Sequence, residues 1–186
     1  AMARLYLVRH GEPTGSWGSS PDPDPGLSDL GHQQARIAAD RLRLLTPRQI
    51  VSSPLRRAFE TAQPLTEILA MPATIAKPVA EIPTPRTVSV ERRGEWLKSV
   101  MARNWDDVEP ELVQWRGEAI NYLLKLDADT AVFSHYVLIN VAVGAAIGDD
   151  RVHCFAPMHA SVTILETNGR GLSLVEIGAT GASAIK

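Results

Sequence analysis

Cysteine is nearly absent from this chain, with Cys154 alone among 186 residues. A single thiol excludes an intramolecular disulfide and a cysteine-based zinc site, so nothing marks an oxidising compartment and a cytoplasmic location is the expectation. Excess charge is also missing. Nineteen Lys plus Arg against 21 Asp plus Glu leave a formal charge of −2, which gives no electrostatic footprint for nucleic acid or an anionic membrane. Any cationic site must be local. Lysine is scarce, four against fifteen arginines, a skew that forked anion contacts would use and that genomic base composition explains as simply. Long hydrophobic runs are lacking too: the longest, Tyr136 to Ile147, falls short of the about 20 residues a bilayer needs and reads as a buried helix. The N-terminus enters a strand at once, without a charged segment leading into an apolar one, so a secretion signal is not expected.

What remains is 45% hydrophobic residues without internal repeat or low-complexity tract, the profile of one globular domain spanning 1–186. Arg4 to Val8 reads as a short apolar strand running into Arg9-His10-Gly11, where Gly11 permits a sharp backbone turn. Pro13 to Pro25 carries too many breakers for a regular element. Ser28 or Asp29 then caps a helix to about Leu45 that buries Ala35, Ala38, Ala39, Leu42 and Leu45. A second strand, Gln49 to Ser52, leads to a helix reaching about Leu69, with Ser53 as cap and Pro54 in its first turn. Pro72 to Ala76 forms a third strand, and Lys77 to Arg93 a loop over the sheet edge, a common place for specificity elements. Helices follow near Arg93 to Arg103 and from Glu109 to Leu126. Thr130 to Phe133 is a fourth strand ending in Ser134-His135 before the apolar helix. Ser161 to Glu166 and Leu172 to Ile177 close as a hairpin, because Asn168-Gly169 accepts positive φ. Alternating β and α elements with a closing hairpin predict an α/β fold: a three-layer α/β/α sandwich on a mostly parallel, mixed sheet.

Three strand ends offer polar groups: Arg9 and His10 after the first, Arg56 and Arg57 one turn into the helix after the second, and His135 after the fourth. Open α/β sheets place their ligand crevice at such ends. Two guanidiniums can hold a phosphoryl group through forked donors, and two imidazoles supply a nucleophile and a hydrogen-bonding partner. Phosphate is the simplest ligand, and a small phosphorylated substrate the expected partner.

Four segments carry a resemblance: Leu-Val-Arg-His-Gly-Glu, Gly-Leu-Ser-Asp-Leu-Gly-His-Gln-Gln-Ala, Ser-Ser-Pro-Leu-Arg-Arg-Ala-Phe-Glu-Thr-Ala and Phe-Ser-His. In order and spacing they resemble the histidine phosphatase superfamily, also called phosphoglycerate-mutase-like. Ala160-Ser161-Val162-Thr163 is a weaker fifth match, and residues 82–125 match poorly. The resemblance implies that His10 is the nucleophile that becomes phosphorylated and that Arg9 binds the phosphoryl oxygens. It makes Arg57, rather than Arg56, the second phosphate ligand, and His135 the second histidine, bonded to the transferring group. Tyr136 stands where many members have glycine, a ring expected to narrow the pocket while its backbone N–H still donates.

A general acid must protonate the leaving oxygen and then activate water. Glu81, in Val-Ala-Glu-Ile-Pro, matches the glutamate that phosphatase members place at the start of this loop, although the usual following Gly and Trp-Glu-Gly are absent. Glu91 and Glu95 are the runners-up. The expected activity is a metal-independent phosphomonoesterase, a hydrolase without a cofactor. Phosphoglycerate mutase-type transfer is an alternative that the short chain and the missing Glu-Arg-His-Tyr-Gly run disfavour; a silent phospholigand-binding module is another. His153, Cys154 and His159 suggest a metal site only superficially. His32, Arg86, Arg92 and Arg93 read as solvated charges, and Trp96 and Trp105 as packing.

Overall fold

The computed structural model describes residues 2–15 and 22–181. Six strands, β1 (Ala3–Arg9), β2 (Gln49–Ser52), β3 (Ala73–Ile75), β4 (Thr130–Ser134), β5 (Val162–Thr167) and β6 (Leu172–Glu176), form one sheet in the order β3-β2-β4-β1-β5-β6. The first four in that order run parallel, and β5 and β6 are added antiparallel. This is the mixed sheet that the sequence pattern predicts.

Strands covered on both faces should be continuously apolar rather than alternating, and the middles of β1 (Leu5 to Val8) and β4 (Ala131 to Phe133) are, with polar residues towards their ends. On one face Tyr6, Val8, Ile50, Ala131 and Phe133 pack against Ala38, Ala39 and Leu42 of α1 (Asp29–Leu44) and Ala62 and Leu65 of α2 (Arg56–Leu69). On the other, Leu5, Leu7, Val51 and Val132 meet Leu123 of α4 (Pro110–Leu124) and Ile139, Ala142 and Val143 of α5 (Tyr136–Ile147). A third cluster joins α3 (Arg93–Met101) through Leu97 and Val100 to Trp105, Leu112, Val137 and Val141. Trp105 is thus a core residue. The three layers are those expected.

Local chemistry explains most boundaries. Ser28 caps α1, its Oγ accepting from Gly31 N–H, as an N-cap serine does. Asn168 Oδ1 accepts from the N–H groups of Arg170 and Gly171 while Gly169 takes φ +88°, closing the β5–β6 hairpin. Residues 16–21 of the expected Pro13–Pro25 loop lie outside the described residues; around them Pro13 bridges Leu27.

Two local expectations need correction. The helix carrying Arg57 starts at Arg56 with Leu55 as N-cap, because the Ser53 hydroxyl accepts from Leu55 N–H just ahead of the helix. Gly11 does not take a positive φ. It is glycine for closeness: a Cβ there would lie 2.6 Å from Gly31 O, and one on Gly31 would lie 2.1 Å from Glu12 O. The segment following His10 therefore packs backbone to backbone on the first turn of α1.

Gly31→Ala should cost about 1–3 kcal/mol, the range for a forced overpacking, and displace the His10 segment. Gly94→Ala, where an added Cβ meets nothing within 4 Å, should be neutral or slightly stabilising. Urea unfolding of both variants checks this; equal midpoints would show that the contact is easily relieved.

Candidate active site

Because β4 lies between β2 and β1, the carboxyl ends of these three strands are neighbours. Ladder bonding continues one residue past each flanking strand: His10 N–H donates to Ser134 O at 3.1 Å and Ser53 N–H to Phe133 O at 2.9 Å. His10, Ser53 and His135 are thereby held side by side.

The His10 ring is buried and its tautomer is fixed twice. Nδ1 lies 2.7 Å from Gly11 O, a carbonyl that only accepts, so Nδ1 carries the proton. Arg57 Nε–H donates to Nε2 at 3.3 Å, and a guanidinium only donates, so Nε2 presents its lone pair. Burial, followed by the charges of Arg57, His135 and Arg9, holds the His10 pKa well below the usual histidine range. A neutral imidazole with its lone pair toward a cation is a nucleophile waiting for an electrophile.

Arg9 is fully buried. Its Nη1 donates to Pro157 O at 2.9 Å, and its guanidinium carbon lies 5.0 Å from the centroid of the Tyr136 ring. Burial lowers its pKa to about 10, so it stays charged at neutral pH. Its Nε and Nη2 have no acceptor among the described residues. Unfilled charged donors inside a protein call for an anion. Arg57 is also buried, with its pKa lowered chiefly by that burial. Arg56 turns outward, its Nε 2.7 Å from Glu60.

The His135 ring centroid lies 5.3 Å from that of His10. Its Nε2 is 2.8 Å from Ser53 Oγ, and its Nδ1 has no partner among the described residues. Burial and then the two arginines keep its pKa well below the usual value.

Glu81 arrives from a short 3-10 turn, Lys77–Val79, pinned to β4 where Ser134 Oγ donates to Val79 O at 2.5 Å. Its carboxyl sits on the N-terminus of α5: Oε1 accepts from Ile82 at 3.0 Å and from Val137 and Leu138 at 3.2 Å, and Oε2 from Val137 at 3.2 Å. Those bonds and Arg57 favour the carboxylate, yet burial outweighs them and the Glu81 pKa is raised. Its charge acts on both Arg9 and Arg57. Glu91 and Glu95 are exposed.

All five residues singled out from the sequence, Arg9, His10, Arg57, Glu81 and His135, therefore meet at one end of the sheet. The Tyr136 ring, expected to narrow the pocket, lies against Arg9. It is only 4% exposed and packs in the third core cluster beneath Arg9, with its hydroxyl 2.8 Å from His153 Nε2. Ser53 and Thr61 join the site without having been singled out for it, and His159, which precedes the Ala-Ser-Val-Thr match and reads as a loop histidine able to border the pocket, lies beside His10. Ser53 holds His135. Thr61 Oγ1 accepts from Gly11 N–H at 2.9 Å and donates to Arg57 O at 2.7 Å, tying α2 to the segment after His10; a threonine inside a helix was the available signal. His159 comes within 5.8 Å of the His10 ring, centroid to centroid. Next to it Ala160 takes a left-handed φ of 59° and donates its N–H to Arg9 O and His10 O. That conformation left no mark in the sequence. His153 instead stacks on Tyr136. Among the described residues no three His, Cys, Asp or Glu side chains gather as metal ligands.

Residues 5–180 match the family model of the histidine phosphatase superfamily, branch 1. The chain belongs to this superfamily. It is 43% identical over 76 residues to a glucosyl-3-phosphoglycerate phosphatase of Mycolicibacterium vanbaalenii, covering 40% of this chain and 34% of that protein. Over 129 residues it is 32% identical to phosphoserine phosphatase 1 of Hydrogenobacter thermophilus, covering 62% and 56% respectively. The chain thus spans about half the length, or less, of the curated relatives it matches. The solved mycobacterial glucosyl-3-phosphoglycerate phosphatase superposes with a TM-score of 0.76 at 21% identity, over 98% of this chain and 100% of that one; structures of that phosphatase also exist with VO3 and with inorganic phosphate. The histidine phosphatase fold is therefore shared throughout the described residues.

The two depressed imidazoles have a stability consequence with a definite sign. The unfolded chain takes up protons below about pH 6.5 at histidines that the native state keeps neutral, so their contribution is complete above that pH and lost as pH falls. In phosphate-free buffer, Tm should drop between pH 7 and 5, and less steeply in a His10→Asn/His135→Asn double variant. Parallel slopes would mean that these rings titrate normally in the native state.

Proposed function

We propose that this chain is a metal-independent phosphomonoester hydrolase working through a phosphohistidine on His10. The observation that carries the reading is the fixed His10 tautomer: its Nε2 lone pair faces Arg57, beside a buried Arg9 with two unfilled donors. Nε2 attacks phosphorus as the bond to the leaving oxygen breaks. Arg9, Arg57 and His135 hold the non-bridging oxygens and stabilise their charge, the work that a cation would otherwise do. Glu81 gives its proton to the leaving oxygen. The resulting carboxylate, still held by the α5 N–H groups, takes a proton from water as that water attacks phosphorus. The N–P bond breaks, inorganic phosphate leaves, and His10 and protonated Glu81 are restored.

A small phosphorylated substrate, the proposed cytoplasmic setting and action of 1–186 as one catalytic domain complete the reading. Phosphate and VO3 bound to the mycobacterial relative support the ligand class. The position of Glu81 favours hydrolysis over a silent binding module, which would need the arginines without an acid.

Hydrolysis of an aryl phosphate in EDTA tests this directly. Turnover should persist, release inorganic phosphate, and fall by about 10³-fold or more in His10→Ala, as when a covalent nucleophile is lost. Activity untouched in His10→Ala, or phosphoryl transfer to an added alcohol in place of release to water, would sink the reading.

Glu81 must be protonated for the first step and its pKa is raised. In the native enzyme kcat for a substrate with a poor leaving group should therefore decline on the alkaline side, at a pH above the ordinary glutamate value of about 4.3. Glu81→Gln should lower kcat by about 10²-fold and abolish that limb. An unchanged pH profile in the variant would assign the acid elsewhere.

A further inference from the structure

The Ser53 hydroxyl is completely buried and lies between two partners. Leu55 N–H donates to it at 3.1 Å, and His135 Nε2 stands 2.8 Å away. Leu55 is an amide and can only donate, so one lone pair of Oγ is already occupied. The bond to His135 has two possible directions. If Nε2–H donated to Oγ, the hydroxyl would accept twice and its own proton would need a third partner; none is present among the described residues, and burial denies it water. If the hydroxyl donates to Nε2, every polar atom of Ser53 is satisfied. The second direction avoids a buried orphan donor.

We infer that Ser53 is a positioning residue that sets the tautomer of His135, holding the proton on Nδ1. That leaves Nδ1–H, the one polar ring atom without a protein partner, as a donor. On the reading of the site given above, on which this inference rests, the acceptor is an oxygen of the phosphoryl group. The opposite tautomer would present a bare lone pair to an anion and repel it. Ser53 is built for this task. Its backbone is held to β4 through Phe133 O at 2.9 Å, which anchors the side chain beside His135. The same hydroxyl marks the start of α2, three residues before Arg56, so one side chain sets both His135 and the helix that carries Arg57.

Long-range ¹H–¹⁵N spectra of the native protein at pH 7.5, with His135 assigned through the His135→Asn variant, test the inference without reference to activity. His135 should show a protonated Nδ1 and an unprotonated Nε2. In Ser53→Ala the Nε2-protonated form should appear and kcat should fall by about ten- to a hundredfold, with KM changing far less. Ser53→Thr, which keeps the hydroxyl, should restore both. A purely structural serine would lower Tm in Ser53→Ala but leave the tautomer alone. A protonated Nε2 in the native protein overturns the inference whatever the kinetics, and so does an unchanged tautomer with full kcat in Ser53→Ala. Should Ser53→Ala fail to fold, the native and Ser53→Thr spectra still decide. A tautomer as expected alongside turnover that survives His10→Ala would support the positioning by Ser53 and reject the phosphohistidine reading separately.

Discussion

The site depends on one constraint of strand order: β4 is inserted between β2 and β1. Parallel strands from distant parts of the chain must then end at the same level, because their registers are locked pairwise, Arg9 opposite Ser134 and Ser52 opposite Phe133. Each next residue is still held by a ladder bond. His10, Ser53 and His135 are therefore placed by the sheet rather than by loops, which gives them the rigidity that positioning a reacting group requires. The antiparallel β5–β6 addition serves the same end. It covers the free side of β1, and the turn before it brings Ala160 N–H to the carbonyls of Arg9 and His10.

Electrostatics follow from that enclosure. Two buried guanidiniums are costly to remove from water, and two more charges on the neighbouring imidazoles would raise the cost. The site responds by keeping both histidines neutral. Neutral rings are also what nucleophilic attack at Nε2 and donation from a ring N–H require. The arginines thus have two effects: they attract an anion and they hold the imidazoles in the useful protonation state. Their own charge is retained because even the lowered pKa of Arg9, about 10, lies far above neutrality.

Much of this was legible in the sequence, for identifiable reasons. Continuous apolar runs located β1 and β4, Ser28 and Asn168-Gly169 located a cap and a turn, and polar residues at successive strand ends located the crevice. Arg57 could be chosen over Arg56 from the motif, and the fold places them on different faces of α2. Interactions that depend on long-range closeness were not legible. Gly11 reads locally as a turn, yet its constraint comes from the backbone of Gly31. Ser53 reads as a helix cap, yet its hydroxyl serves a histidine 82 positions later. Tyr136 follows His135 directly, yet the first turn of a helix sends successive side chains in different directions. The ring goes into the core and supports Arg9 from below.

Glu81 shows why a helix N-terminus can be used for an acid without fixing its charge. Three backbone N–H groups and the positive end of α5 would alone hold the carboxyl ionised, a poor state for donating a proton. Burial alone would keep it protonated, a poor state for activating water. The two influences oppose each other at one carboxyl: burial raises the pKa while the Ile82, Val137 and Leu138 N–H groups hydrogen-bond the carboxyl oxygens. On the proposed mechanism, one group held in this way would serve both halves of a two-step hydrolysis. The same contacts occupy the Val137 and Leu138 N–H groups, so on the proposed reading the phosphoryl oxygens would be met by the side-chain donors of Arg9, Arg57 and His135 rather than by those amides.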